Sequence, residues 1–217
     1  MVRSIPPGTD QEEILWRQGC RSVAGVDEAG RGPLAGPVVA AAVILSPGTE
    51  LPGVRDSKTL SPATRERLFD KIRGSALGVG IGTVDAPTID RINVLEATRL
   101  AMAEAVRNLP IPPEHLLTDA VRLPNVPIPQ TPFIRGDALV LSIAAASVIA
   151  KVTRDRLMGD YHRLYPEYAF DRHKGYGTSE HLAALRRFGP SPIHRRTFRG
   201  VLIPAADAAP DERRGAR

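Results

Sequence analysis

The spacing of apolar and polar positions changes several times along the chain, and each change marks a new element. Residues 23–27 are an apolar run that ends in acids and predict a strand, followed by a glycine-rich turn, Gly30-Arg31-Gly32-Pro33. Residues 37–45 are apolar and β-branched and predict the next strand of a hairpin. Over residues 76–84, Val79, Ile81 and Thr83 alternate with glycines, which predicts a third strand. The period then lengthens: Ile92, Leu95, Met102 and Val106 fall at helical spacing within residues 88–109. Residues 115–118 predict a short strand closing on Asp119. Residues 121–131 hold several prolines and read as a loop, and residues 133–135 are expected to form a last short strand. Residues 137–164 predict a long helix and residues 179–187 a shorter one. Residues 10–18 read as a short helix with an acidic first turn. Ser61-Pro62 is a helix start, an N-cap serine before a proline at the first helical position, for a helix reaching about Arg73.

Strands first, then helices interleaved with strands, predict an α/β domain with a mixed sheet. The early hairpin strands are expected to be antiparallel and the later ones, reached through helices, parallel. The chain divides into a lead-in with its short helix over residues 1–20, one folded domain over residues 21–204, and a tail over residues 205–217. The tail is Ala, Pro, Asp, Glu and Arg, too polar to pack, and is expected to be disordered.

Composition changes this picture in three ways. The 217 residues are 42% hydrophobic and 24% charged, ordinary for one globular domain. No apolar stretch is long enough for a membrane helix, and Asp10, Glu12 and Glu13 stand where a signal peptide would need an apolar segment. A soluble intracellular protein is therefore expected. The single cysteine, Cys20, excludes a disulfide within the chain and a thiolate zinc site. The net charge of +5 is uneven: residues 163–199 carry eight basic residues against three acids. A basic face of that kind suits a polyanion such as nucleic acid, although a solvated charged surface would look the same.

The candidate chemistry lies in acids that follow apolar runs. Asp27 and Glu28 close the first strand inside a segment crowded by Gly25, Gly30, Gly32 and Gly36. On a regular strand the two would point to opposite faces, so both reach one site only if the strand ends or twists there. Asp119 closes another apolar run, and Asp137 follows Gly136, where helix capping is the alternative reading. No basic partner for these acids is evident. Carboxylates gathered at strand ends would suit a hard cation such as magnesium, which prefers oxygen ligands. Asp155 is expected to pair with Lys151, Arg154 or Arg156. The five histidines show no metal-ligand spacing, and His173 and His181 read as surface or phosphate-side residues. Gly30-Arg31-Gly32 offers backbone N–H groups to an anion. Arg172-His173-Lys174-Gly175-Tyr176-Gly177-Thr178 sets an aromatic ring in a basic loop, where it could stack on a sugar or base.

Several ordered blocks make the sequence resemble the ribonuclease HII family: VAGVDEAGRGPLAGPV, DSKTLS, INVLEATRLAM, RGDALVLSIAAASVIAKVTRDRLM, HKGYGT and PSPIHRRTF, spanning about residues 20–200. The resemblance implies an RNase H-like fold, a central mixed five-stranded sheet flanked by helices with a C-terminal helical segment. It implies an endonuclease that hydrolyses the RNA strand of RNA–DNA hybrids and cuts 5′ of single ribonucleotides in duplex DNA, leaving 3′-hydroxyl and 5′-phosphate ends. Roles in ribonucleotide removal and primer removal follow. Asp27, Glu28, Asp119 and Asp137 become catalytic, metal-holding acids for two magnesium or manganese ions with substrate bound, Asp27 shared between them. Gly30, Arg31 and Gly32 become the segment that reads the 2′-hydroxyl, and Tyr176 the ring at the RNA–DNA junction. Lys58, Arg172 and Lys174 complete the substrate contacts. Two positions depart from the family pattern: Arg135 stands where lysine is frequent, and Ala120, after Asp119, where glycine is frequent. The expected partner is nucleic acid, with no membrane, and the expected form a cytoplasmic monomer. A nucleic-acid-binding protein without activity is the rival reading, disfavoured because buried acids without partners are costly. Ribonuclease HIII, which carries a further N-terminal domain, is disfavoured because only 26 residues precede Asp27.

Overall fold

The structure, a computed structural model, describes residues 6–202; the predicted tail over residues 205–217 lies outside them. Five strands form one sheet in the order β3-β2-β1-β4-β5. β1 (Val23–Ala29), β2 (Val38–Ile44) and β3 (Gly78–Val84) are antiparallel neighbours. β4 (His115–Asp119) runs parallel to β1 with Val26 opposite Thr118, and β5 (Gln130–Phe133) runs parallel to β4. This is the mixed sheet that the order of elements predicts, and β2 is buried along its whole length. The acids Asp27 and Asp119 therefore stand at the same end of two adjacent parallel strands.

Helices cover both faces. The ranges are α1 (Asp10–Arg17), α2 (Pro62–Ser75), α3 (Ala86–Ile92), α4 (Val94–Arg107), α5 (Leu141–Leu164), α6 (Phe170–His173) and α7 (Ser179–Phe188). α4 lays Ala97, Ala101 and Ala105 against Ala24, Val26, Ala40 and Ala42 of the sheet. α5 and α2 cover the other face, where Ala144, Ala145 and Val148 meet Ala41 and Val43. A Cβ on Gly25 would run into the backbone of Ser142 and Ile143, so α5 crosses β1 only because that position has no side chain. No helix among the described residues is long and apolar enough to cross a membrane.

Three local expectations need correction. The helix predicted over residues 88–109 is two helices, because Asn93 takes a positive φ of 68° and its side chain accepts from the N–H groups of Leu95 and Glu96. The long helix begins at Leu141 rather than at Asp137, which lies in a 3-10 turn, Gly136–Ala138. α5 has no capping side chain of its own. Glu12 of α1, fully buried, accepts from the Ser142 N–H at 2.9 Å, and the Gly8 carbonyl accepts from Leu141. The last strand lies at residues 130–133 rather than 133–135, and it carries Pro132, which a sheet tolerates at its edge.

Candidate active site

Three elements bring carboxylates together. Asp27 ends the buried part of β1, Asp119 ends β4, and Asp137 sits in the turn before α5; oxygens of all three lie within 4.8 Å of one another. The turn is held in place by the site itself, since the Gly136 N–H donates to Asp119 Oδ1 at 2.7 Å. Burial, with the negative charges of Glu28 and Asp119, pushes the Asp27 carboxyl well above the usual carboxylate range. Burial, with Asp56 and Asp119, also pushes Asp137 up.

Glu28 stands outside the tight group of three. Its Oε1 faces the Arg31 guanidinium at 3.3 Å, while its Oε2 is buried with no hydrogen-bond partner. Burial raises its pKa although Arg31 works against the rise. A buried carboxylate oxygen left unpaired beside three converging carboxylates is what a bound cation would satisfy, so the donor set fits hard divalent ions. Basic partners, not evident in the sequence, are present. Lys58 Nζ lies 3.7 Å from Asp137 Oδ2; burial works against its charge, but Asp137, Asp56, Asp27 and Asp119 together raise its pKa. Asp56, whose Oδ1 accepts from the Lys58 N–H, is an acid that sequence reasoning passed over. Ser147 of α5 is a further residue that sequence reasoning passed over: its hydroxyl bonds to Ser57 at 2.8 Å, and its hydrogen bond to Asp27 works to lower that carboxyl's pKa. Asp155 pairs with Lys151 at 2.6 Å and with Arg65 at 3.5 Å, and neither Arg154 nor Arg156 joins it.

Arg154 is engaged elsewhere, in a frame that the sequence does not announce. Its guanidinium is fully buried and donates to the carbonyls of Ala35, Pro37 and Lys174. Arg195, equally buried, donates to the carbonyls of Gly30, Arg31 and Gly36. Burial lowers the pKa of both side chains, yet each stays charged at neutral pH and is satisfied by carbonyls rather than by carboxylates. Gly30 has a φ of 98°, and a Cβ there would collide with Arg154, so the loop needs glycine at this point. The Leu34 N–H donates to the Gly175 carbonyl at 2.8 Å, and a Cβ on Gly32 would lie 3.7 Å from the Tyr176 ring. The Gly30-Arg31-Gly32 segment and Tyr176 thus form one surface beside the acids, with Tyr176 47% exposed and its ring free to stack. Arg172 faces Glu180 and Lys174 Nζ donates to the Asp171 carbonyl, so both are turned toward their own loop rather than toward the acids. His173 and His181, expected at the surface, are buried, because their rings pack against each other and against Phe170.

The family model for ribonuclease HII matches residues 24–201. Ribonuclease HII of Geobacter sulfurreducens is 58% identical over 196 residues, covering 90% of this chain and 90% of that protein. Ribonuclease HII of Geobacter metallireducens is 58% identical over 190 residues, covering 88% and 89%. Among solved structures, ribonuclease H2 of Pyrococcus horikoshii superposes with a TM-score of 0.73 at 29% identity, covering 83% of this chain and 95% of that one.

Proposed function

Since the chain belongs to the ribonuclease HII family, and so is a metal-dependent endoribonuclease acting on RNA–DNA hybrids, we propose that it also cuts 5′ of a single ribonucleotide embedded in duplex DNA, using two divalent ions and leaving 3′-hydroxyl and 5′-phosphate ends. The observation that carries this reading is the convergence of Asp27, Asp119 and Asp137 beside the unpaired Oε2 of Glu28. These four residues would hold magnesium or manganese, with Asp27, the most deeply buried, shared. When bound, such ions supply Lewis acidity toward the phosphate and toward an attacking water.

The chain's own groups do the rest. Like-charged buried carboxylates repel one another, so the site favours a cation over a proton once one is offered. Lys58 stands where it can leave Asp137 and meet a substrate phosphate, since its side chain is 77% exposed. The Gly30-Arg31-Gly32 backbone has room to approach the sugar edge, and the 2′-hydroxyl both donates and accepts hydrogen bonds. Tyr176 would stack on the neighbouring deoxyribose, and Arg172 and Lys174 would meet phosphates along the strand. The reading takes the enzyme to act as a monomer in the cytoplasm on the cell's own DNA, in ribonucleotide and primer removal. The folded catalytic domain is taken as residues 21–204.

The test is cleavage of a duplex carrying one ribonucleotide, with magnesium, with manganese and with neither. A single metal-dependent cut on the 5′ side of the ribonucleotide supports the reading. Cleavage of a uniform hybrid with the single-ribonucleotide duplex left intact removes it.

A further inference from the structure

Behind Tyr176 lies a buried relay of imidazoles whose protons are determined by their neighbours. The Ser191 N–H donates to His194 Nδ1 at 2.9 Å, so that nitrogen carries a lone pair. In the neutral ring the proton is then on His194 Nε2, which lies 2.9 Å from His181 Nε2 and donates to it. His181 must therefore carry its own proton on Nδ1, and that proton points at the Tyr176 carbonyl 2.9 Å away. His173 is aligned in the same manner: the Gly175 N–H donates to its Nδ1, and its Nε2–H donates to the Tyr168 carbonyl at 2.7 Å. His181 is fully buried, and His194 is 2% exposed.

We propose that His181 and His194 are positioning residues for Tyr176: as a neutral pair they hold the backbone carbonyl of the residue that selects the RNA–DNA junction, and that hold is released when His181 gains a second proton and is set against the His194 Nε2–H. The proposal rests on the junction role given to Tyr176 above. A second proton on His181 would set its Nε2–H against that of His194, whereas one on His194 Nδ1 would find the Ser191 hydroxyl oxygen 2.8 Å away as an acceptor. The groups packed around the pair offer a cation no counter-charge. They are Tyr168, Phe170, the neutral hydroxyl of Ser191, and His173, whose ring stacks 4.6 Å from His181. Glu180, next to His181 on α7, faces Arg172 at the surface. Burial lowers the pKa of both rings, that of His194 to about 4, with His181 and His173 adding to the fall.

The experiment uses the full chain with magnesium and reads one quantity, the rate on a single-ribonucleotide duplex divided by the rate on a uniform hybrid. The ratio cancels effects on the metal-holding acids, which act on both substrates. His181→Phe keeps the ring and removes the donor; it should lower the ratio about fivefold to tenfold, the size of one lost hydrogen bond. His181→Asn offers an amide N–H in place of Nδ1–H and should restore the ratio to within about threefold, a residual loss smaller than one hydrogen bond. Because burial lowers the His181 pKa below 6.5, the wild-type ratio should hold near pH 7 and fall as pH drops from 6.5 toward 4, while that of His181→Asn should stay flat, because the amide does not titrate. Tyr176→Ala is run alongside. If Tyr176→Ala lowers the ratio while His181→Phe does not, the relay is purely structural and the proposal is overturned. If Tyr176→Ala itself leaves the ratio unchanged, the junction reading falls and the proposal with it. Should His181→Phe fail to fold, the pH dependence of the wild-type ratio decides: a profile flat from pH 7 down to pH 4 overturns the proposal.

Discussion

The acids around Asp27 and the histidines behind Tyr176 are both clusters of like, buried, titratable side chains, and they are built on opposite principles. The acid cluster is left incomplete. Its carboxylates crowd within 4.8 Å, one buried oxygen of Glu28 has no partner, and the available cations, Lys58 and Arg31, reach only its edge. The histidine cluster is closed. His173, His181 and His194 each donate one hydrogen bond and accept another, and the two arginines beside them satisfy six different carbonyls. Incomplete electrostatics beside complete electrostatics separates a place that waits for an ion from a frame that holds loops still.

The sharpest break of this contrast is removal of one acid. Asp27→Asn or Asp137→Asn should lower kcat on the order of a thousandfold or more at saturating magnesium, because a positioned ion would be lost. The melting temperature of either variant should hold or rise, since a repulsive charge leaves the cluster. Near-full activity by single-turnover kinetics, or a marked drop in melting temperature, would show that the acid is structural.

The opposite result is expected across the divide. Arg195→Met keeps volume but strips carbonyls of their donor, and each buried group left unsatisfied costs about 1–3 kcal/mol. A loss of about 3 kcal/mol or more, measured by urea unfolding, is expected. A variant as stable as the parent would mean that water replaces the guanidinium and that the frame is looser than its hydrogen bonds suggest.

Acid should act on the two clusters with opposite sign. His194 has a folded pKa of about 4, below its ordinary 6.5, so its contribution to stability is present above pH 6.5 and is lost as pH falls toward 4. Asp27 and Asp137 have folded pKa values raised above the ordinary 3.8, so the folded state binds protons more readily there, and acidification adds stability down toward 3.8. Between pH 7 and pH 5 the terms offset. Asp27→Asn, deprived of the acid-side gain, should lose more stability over that interval than the parent, and His194→Gln should lose less. Unfolding free energies at the two pH values check both; parallel slopes for all three proteins would erase the contrast.

The smallest effect lies in the backbone at the acid side. Ala120 has a φ of 53°, and Arg135 one of 59°, so the residues that follow Asp119 and precede Gly136 are both left-handed. These are the two places where the sequence departs from the family pattern. Ala120→Gly should stabilise by a few tenths to about 1 kcal/mol, the left-handed strain relieved less the entropy that glycine adds to the unfolded chain. Destabilisation in a thermal melt would show that the Ala120 methyl group packs usefully.

Much of this was legible beforehand, and the rest was not, for reasons visible in particular residues. The acids could be found because Asp27 and Asp119 follow apolar runs in which a charge is out of place. Ser61 announced its helix through a local cap, and Thr178 caps α7 in the same manner. Asn93 could have been read as a break, since its side chain caps two N–H groups within three residues. Glu12 could not, because its partner, Ser142, lies 130 residues away in the sequence. Arg195 looked like one more charge on a basic face, and His181 like a phosphate-side residue; only the packing of residues 191–198 against residues 30–37 buries them.

The sequence by itself determined four of the five strands, most of the helices and the four acids as candidates, since these depend on period, caps and residues out of character with their neighbours, all local quantities. Only the tertiary structure decided which acids converge, that Glu28 keeps an oxygen unpaired, and that two arginines and three histidines are buried as a frame. The pairing of Val26 with Thr118 sets Asp27 beside Asp119. What a carboxylate or an imidazole does there depends on the groups it faces and on how much water is left, and neither is a property of its position in the chain.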